Sequence, residues 1–457
     1  MFSPLIRHLK QKGGFLTLAP PLMAIGLMSI MAQNAHGQQY ETVEDAIHQN
    51  PTVQRERAAV CQARSRYDLA LAGQLPRVDL SVSGGSPIKS NFTRRSRRSI
   101  FSSNNNDAAI DRRFDNNNID GVVRLTQSIY DGQRAEMGKR IAENDGAVSR
   151  LGVAIETDTV AADILTAALE YHLQLKLKQH FEEQRAELEV ITTRIKERVE
   201  LGAGRVSDLR ESRLMELELE VAQSQAERQL ELLERELQAR FKLTPEILTP
   251  FFDRYLSLRG DEVLVEASES IRSVKRLDLD LQTIDFEKRQ LTGERQPNIT
   301  AHLDTTLFDV DSFGYEYEMV GRLQLSVPIY DGGSNKARKN ENEWRRRGLL
   351  SERANLIRNH TSRTQQAISD NHQATEAIKE IDAQLSEMTQ RFETLQAREG
   401  QTQSDPLALA RLINEIAQAK ASRINQELNL ELGLLQGIFF ADQLGQLLDL
   451  NVGESPC

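Results

Sequence analysis

The chain has 457 residues, 57 Lys and Arg against 67 Asp and Glu, a formal charge of −10, 5% aromatic residues and one Trp. That acidity excludes a nucleic-acid footprint, and 27% charged residues with so few aromatics exclude a large aromatic core in favour of long helices. Disorder is excluded because the apolar residues recur at fixed periods.

Residues 1–37 read as an export signal. Arg7, Lys10 and Lys12 precede an apolar stretch at 15–31, and Ala35-His36-Gly37 places small residues for a cut after Gly37. A permanent membrane helix is the alternative, but the stretch is short and broken by Pro20-Pro21. The two cysteines, Cys61 and Cys457, read as incidental, with no disulfide framework.

Residues 38–75 are helix-rich, with Thr42 an N-cap ahead of Asp45 and Pro51 breaking or starting a helix. After Gln74-Leu75-Pro76, Val78, Leu80 and Val82 alternate with Arg77, Asp79, Ser81 and Ser83. That is a strand with one apolar and one polar face. Residues 88–119, rich in Arg and Asn, lose all periodicity and read as an exposed loop, either a basic patch for anionic lipid or a solvated connection. A second strand places Val123, Leu125, Gln127 and Ile129 against Arg124, Thr126 and Ser128, and runs into Tyr130-Asp131-Gly132. Asp131 can cap a helix and Gly132 permits the change of direction.

From 133 to 199 there is no Pro. Ile141, Val148, Ile155, Ala162 and Leu169 recur every seven residues beside an Ala-lined column, and Phe181, Leu188 and Ile195 continue the step. This predicts a coiled-coil helix of roughly 100 Å. Gly202-Ala203-Gly204-Arg205-Val206-Ser207-Asp208 reverses the chain, with Ser207 or Asp208 recapping a return helix to Phe241 that Pro245 and Pro250 end.

The pattern then repeats. Ala267, Val274 and Pro297 stand 221 residues after Ala46, Val53 and Pro76, and Pro328-Ile329-Tyr330-Asp331-Gly332 stands 200 after Ser128-Ile129-Tyr130-Asp131-Gly132. Tyr130, Asp131, Gly132, Tyr330, Asp331 and Gly332 are thus paired strand-to-helix junctions. Asn50-Pro51 becomes Ile271-Arg272 in the second copy. The second hairpin turns at Gly400, Ser404 and Asp405, one residue tighter than the first. The predicted organisation is a signal at 1–37, a first repeat at 38–248 (strands 77–87 and 119–130, hairpin 131–241), a second at 249–440 (strands 297–309 and 319–330, hairpin 331–438) and a loose tail at 441–457.

Four strands of about ten residues match membrane-barrel strands but cannot close a barrel alone. The barrel must be shared between protomers, with the hairpins continuing it as a tube. No phosphate-binding loop, nucleophile elbow or HExxH helix is present, and His172 and His180, eight apart, are no metal pair. No enzyme activity and no cofactor are expected. The alternative from another class is a secreted periplasmic structural coiled-coil protein.

Val43-Glu44-Asp45-Ala46-Ile47-His48-Gln49-Asn50-Pro51, Gln74-Leu75-Pro76, the doubled Ile-Tyr-Asp-Gly and the turns at 202–208 and 400–405 together resemble the TolC-like outer membrane efflux proteins over nearly the whole mature chain. The resemblance implies an α+β membrane protein in the bacterial outer membrane. Its homotrimer would share a 12-stranded transmembrane β-barrel, four strands per protomer, continued by an antiparallel coiled-coil tunnel in the periplasm. It implies an exit duct for type I secretion or small-molecule efflux. The tips (Gly202, Gly204, Ser207, Asp208, Gly400, Ser404 and Asp405) would dock a periplasmic adaptor and an inner-membrane ABC or proton-driven transporter. Asp405 is expected either to line a constricted entrance or only to cap its helix.

Overall fold

The computed structural model describes residues 40–85, 118–258, 271–308, 316–397, 405–450 and 457. The signal at 1–37, nearly all of the Arg/Asn loop, Gly400 and Ser404 lie outside these. Two short helices open the described chain. In α1 (Val43–His48) the Asp45 N–H donates to Thr42 Oγ1 at 3.1 Å. In α2 (Pro51–Ala72) Asn50 Oδ1 accepts from Thr52 N at 3.0 Å, and Pro51 sits where a missing N–H costs nothing.

Strands β1 (Arg77–Gly85) and β2 (Asn118–Tyr130) lead into α3 (Arg134–Glu200) and α4 (Val206–Phe241). Then come α5 (Pro245–Leu258), α6 (Arg272–Gly293), β3 (Asn298–Phe308), β4 (Glu316–Ser326), α7 (Ser334–Ala397), α8 (Pro406–Phe440) and α9 (Leu444–Leu447). The sheet has the order β1-β2-β3-β4, antiparallel throughout. Its register puts Val78, Leu125, Leu303 and Gly321 in one row and Asp79, Arg124, Asp304 and Val320 in the next. Alternation therefore yields one apolar and one mostly polar face.

The 67-residue α3 is the spine, about 100 Å long. It packs against α2, α4, α6 and α8, while α7 packs against α6 and α8. Where α1, α2, α3, α5, α8 and α9 meet, Ile47, Val53, Ile164, Leu165, Tyr255, Leu435, Leu444 and Leu448 form the main core. Nearer the hairpin ends, Leu188, Ile191, Ile195, Met215, Leu219, Leu409 and Ile413 tie α3, α4 and α8 together.

Three expectations are corrected and one helix is added. Strand β4 stops at Ser326 rather than 330: β3 begins at Asn298, opposite Ser326, and Pro328 has no N–H to donate. The return helix α4 ends at Phe241 as expected, but the two prolines beyond it belong to a further helix that was not foreseen. Helix α5 starts at Pro245 and carries Pro250 inside, because burial of Leu248, Phe251, Phe252 and Tyr255 outweighs one lost backbone bond. The tail is not loose through 450, since Leu444, Leu448 and Leu450 are buried in the main core. The cysteines are not incidental: Cys61 and Cys457 form a disulfide, 5.4 Å between Cα atoms across 396 residues. Their spacing carried no sign of it, because α8 and α9 bring the C-terminus back to α2 only in three dimensions.

Candidate functional site

The junctions follow from two short signals. Asp131 Oδ2 accepts from Ala135 N at 2.6 Å, and Asp331 Oδ1 and Oδ2 accept from Gly333 N and Asn335 N, both at 3.0 Å. These backbone donors hold the Asp331 carboxyl below the usual carboxylate range. Each junction takes two successive residues through the left-handed region: Gly132 (φ +71°) with Gln133 (φ +66°), and Gly332 (φ +62°) with Gly333 (φ +88°). The surroundings differ. A Cβ on Gly132 would stand 2.5 Å from the carbonyl oxygen of Gly293 at the end of α6, whereas one on Gly332 would meet nothing within 4 Å. Tyr130 hydrogen-bonds Gln296, while Ile329 and Tyr330 are 97% and 88% exposed.

On the polar face, Asp304 is 7% exposed between two arginines. Arg124 Nε donates to Asp304 Oδ1 at 2.7 Å, and Arg322 pairs with Oδ2. Opposite, Val78, Leu80, Val82, Leu323 and Leu325 are exposed. The sheet thus shows apolar side chains outward on one side and a cross-strand ion-pair ladder on the other.

At the far end the chain closes α3 with a Schellman turn. Gly202 (φ +75°) donates to Val199 O at 3.0 Å and Ala203 to Arg198 O at 2.8 Å. Helix α4 begins at Val206, so Ser207 and Asp208 occupy its first turn and neither is the cap. Asp208 suits the positive end of the helix dipole there. Asp405 is the cap of α8, accepting from Leu407 N at 3.1 Å and Ala408 N at 3.3 Å. Gly202, Gly204, Arg205, Asp208, Asp405 and Leu407 line one cleft of about 350 Å³, so the two turns form a common end. Arg411 of α8 clamps it with two bonds to Glu211 of α4, at 2.6 and 3.0 Å.

One polar cluster links the second copy to the tail. Arg272 N donates to Asp442 Oδ2 at 2.8 Å, Arg272 Nε to Asp442 Oδ1 at 2.6 Å, and the guanidinium also pairs with Asp158. Asn50 caps α2 with its own side chain. Ile271 cannot, so Asp442 caps α6 from 170 residues away.

No family model and no curated protein matches the chain. Solved structures do. CusC, which forms a transmembrane channel, superposes with a TM-score of 0.70 at 10% identity over 88% of this chain and 92% of that one. The CmeC outer membrane channel of Campylobacter jejuni gives 0.68 at 11% over 88% and 85%. The open state of the MtrE outer membrane channel of Neisseria gonorrhoeae gives 0.66 at 13% over 89% and 89%. The chain has the TolC-like channel fold.

Within this TolC-like fold, the structure brings Gly202, Gly204, Ser207, Asp208 and Asp405 to one end and Tyr130, Asp131, Gly132, Tyr330, Asp331 and Gly332 to the sheet–helix boundary. Sequence reasoning missed Asp158, Asp442, Gly293 and the Asp304 ladder. The loss of Asn-Pro at Ile271-Arg272 was the one signal that could have exposed the first two. His172 and His180 lie apart. His180 Nε2–H donates to Ala417 O at 2.9 Å across α3 and α8, and burial, then Lys420, lowers its pKa. Burial likewise lowers His48 and His172. The unfolded chain therefore takes up these protons first, and stability is lost as pH falls through about 6.5. Thermal melts from pH 7.5 to 5.5 should show a falling midpoint, with a flatter dependence in His180→Gln; an unchanged slope in that variant would remove His180 from the account.

Proposed function

We propose that the protein is an outer membrane exit duct, receiving cargo from an inner-membrane transporter through a periplasmic adaptor. One observation carries the reading: a four-stranded sheet whose strands are 9 to 13 residues long, exposed and apolar on one face, ion-paired on the other and, among the described residues, unpaired at both edges. Lipid suits the apolar face, water the polar one, and open edges require closure by further copies. Three copies make a 12-stranded barrel with four strands from each. Among the described residues no helix is long and apolar enough to cross a membrane.

The 64-residue α7 supports self-association. It buries only Asn335, Asn342, Thr364, Ala367 and Ala374, and leaves Trp344 exposed. The resulting tube is periplasmic, and its tip cleft is the adaptor's docking place. The duct serves type I protein secretion or small-molecule efflux, with cargo selection left to the transporter.

Purified protein added to planar lipid bilayers should insert in discrete conducting steps. Recovery as a freely soluble periplasmic protein without conductance would instead favour a structural coiled coil. For the tips, Gly202→Pro should lower export at least tenfold while oligomer and conductance persist. Proline cannot reach φ +75°, and it removes the N–H that binds Val199 O. Export at the normal rate would exclude this turn from docking.

A further inference from the structure

Helix α2 is held unusually lightly. Over 22 residues it buries only Val53 and Ala63, and Leu69 is 72% exposed. It packs along α3, and among the described residues its flank away from α3 carries no other long helix. The corresponding α6 lies against both α3 and α7 and buries Val274, Ile284, Leu291 and Gly293. Yet α2 leads directly into β1, an edge of the sheet. A lightly held helix thus positions the edge that the proposed assembly must present to another copy.

The disulfide acts on this helix. Cys61 lies midway along α2 and is half-buried, while Cys457 is exposed. Arg64 Nη1 donates to the Cys457 carbonyl at 3.5 Å, a second tie between the same segments. The C-terminal segment is itself anchored, because Leu444, Leu448 and Leu450 are buried beside Ile164 and Leu165 of α3. Through Cys457, α2 is therefore bound covalently to a segment fixed in the main core.

We propose that Cys61–Cys457 is a clasp closed after export, and that it holds α2 and the β1 edge in the position that receives a second copy. The assembly half of this inference rests on the exit-duct reading. Closure needs an oxidant, and the class that fits is a protein disulfide of the exporting compartment. The exposed Cys457 thiolate attacks one donor sulfur, forms a mixed disulfide and expels a donor thiolate. Arg57 and Arg64, at i−4 and i+3 from Cys61, flank that cysteine on one helix face and favour its thiolate in the reduced chain. The Cys61 thiolate then attacks Cys457 Sγ and expels the second donor thiolate. Two thiols of the chain are oxidised, one donor disulfide is reduced to a dithiol, and the two protons pass to it. Because Cys457 lies 396 residues after Cys61, the bond closes only when the chain between them has emerged. The loop it closes spans 396 residues, so it removes much conformational freedom from the unfolded chain.

Full-length protein purified from exporting cells should take up no maleimide before reduction and two after it, and mapping should find the 61–457 link within one copy. Free thiols, or a link between two copies, overturn the clasp. Cys61→Ser and Cys457→Ser should keep wild-type helicity, melt about 3–6 °C lower and form oligomers several-fold more slowly, with unchanged conductance once assembled. Wild-type melting and assembly in both variants overturn its role. If the variants do not accumulate, the same melt and assembly comparison on purified wild type with and without reductant decides. Absence of conductance in wild type would overturn the duct reading instead, and thiol count and melting would still judge the clasp.

Discussion

Replacing Arg272 with methionine should cost the fold about 3–5 kcal/mol, among the largest losses available to a single substitution here. The guanidinium is 19% exposed, Asp158 6% and Asp442 21%, so three charges share a site with little water. Arg272 binds both carboxylates at once and gives its backbone N–H to Asp442. Methionine fills similar volume but leaves two buried carboxylates facing each other, and the uncompensated charge is what costs. The site also joins α3, the start of α6 and the α8–α9 turn, where Gly445 N donates to Asp158 Oδ2 at 3.3 Å. Arg272→Lys should lose less, because an ammonium keeps the charge but cannot span both partners in the same way. Burial already holds the Asp158 carboxyl above the usual carboxylate range against the pull of Arg272, and removing Arg272 would raise it further, so the deficit of Arg272→Met should shrink as pH falls and Asp158 takes up a proton. Chemical denaturation at pH 7.5 and pH 5 measures the loss and its pH dependence; a loss below about 1 kcal/mol at pH 7.5 would show that the cluster is not holding the segments together.

What the sequence displayed and what it hid divide along the range of the interactions. Val78, Leu80 and Val82 alternate because neighbouring side chains of a strand point to opposite faces, so the strand is visible in six residues. Leu188 and Ile195 are seven apart because a helix face returns at that interval, and both are buried against α4 and α8. Asn50-Pro51 and Asp405-Pro406 start helices for reasons contained in two residues. The Arg272 cluster joins residues 114 and 170 positions apart, and the disulfide spans 396. No period connects such partners, so only the path of the chain reveals them. The tail was misread for a related reason. Leu444, Leu448 and Leu450 are too few to form a repeat, though each is buried in the main core. At the first tip, polar residues near a turn suggested caps, but the helix begins two or three residues earlier than Ser207 or Asp208 as cap would place it.

The doubled Ile-Tyr-Asp-Gly motif yields the other large prediction, because its two copies meet different surroundings. Gly132→Asn should cost about 3 kcal/mol or more. Asparagine tolerates a positive φ, so the loss is not backbone strain but collision. The new Cβ would stand 2.5 Å from Gly293 O and 3.0 Å from Gln296 Cβ, and neither the α6 terminus nor β2 can yield independently. Gly332→Asn keeps the same kind of backbone and meets nothing within 4 Å in one chain. Its protomer should melt within a few degrees of wild type. Assembly is where it should fail. In the repeat, Gly293 stands 221 residues after Ala72, so the end of α2 from the next copy is the surface that would lie against Gly332 as the end of α6 lies against Gly132. A side chain there should reduce oligomer yield at least tenfold while sparing the protomer, as read by cross-linking and size-exclusion chromatography beside thermal melts. Wild-type assembly of Gly332→Asn would mean that no second copy approaches this junction, and the shared barrel would then need another way to bring β4 and β1 together. A protomer loss as large as that of Gly132→Asn would place the constraint within the chain. Opposite outcomes at two copies of one motif would instead separate what the chain needs to fold from what it needs to meet its neighbours.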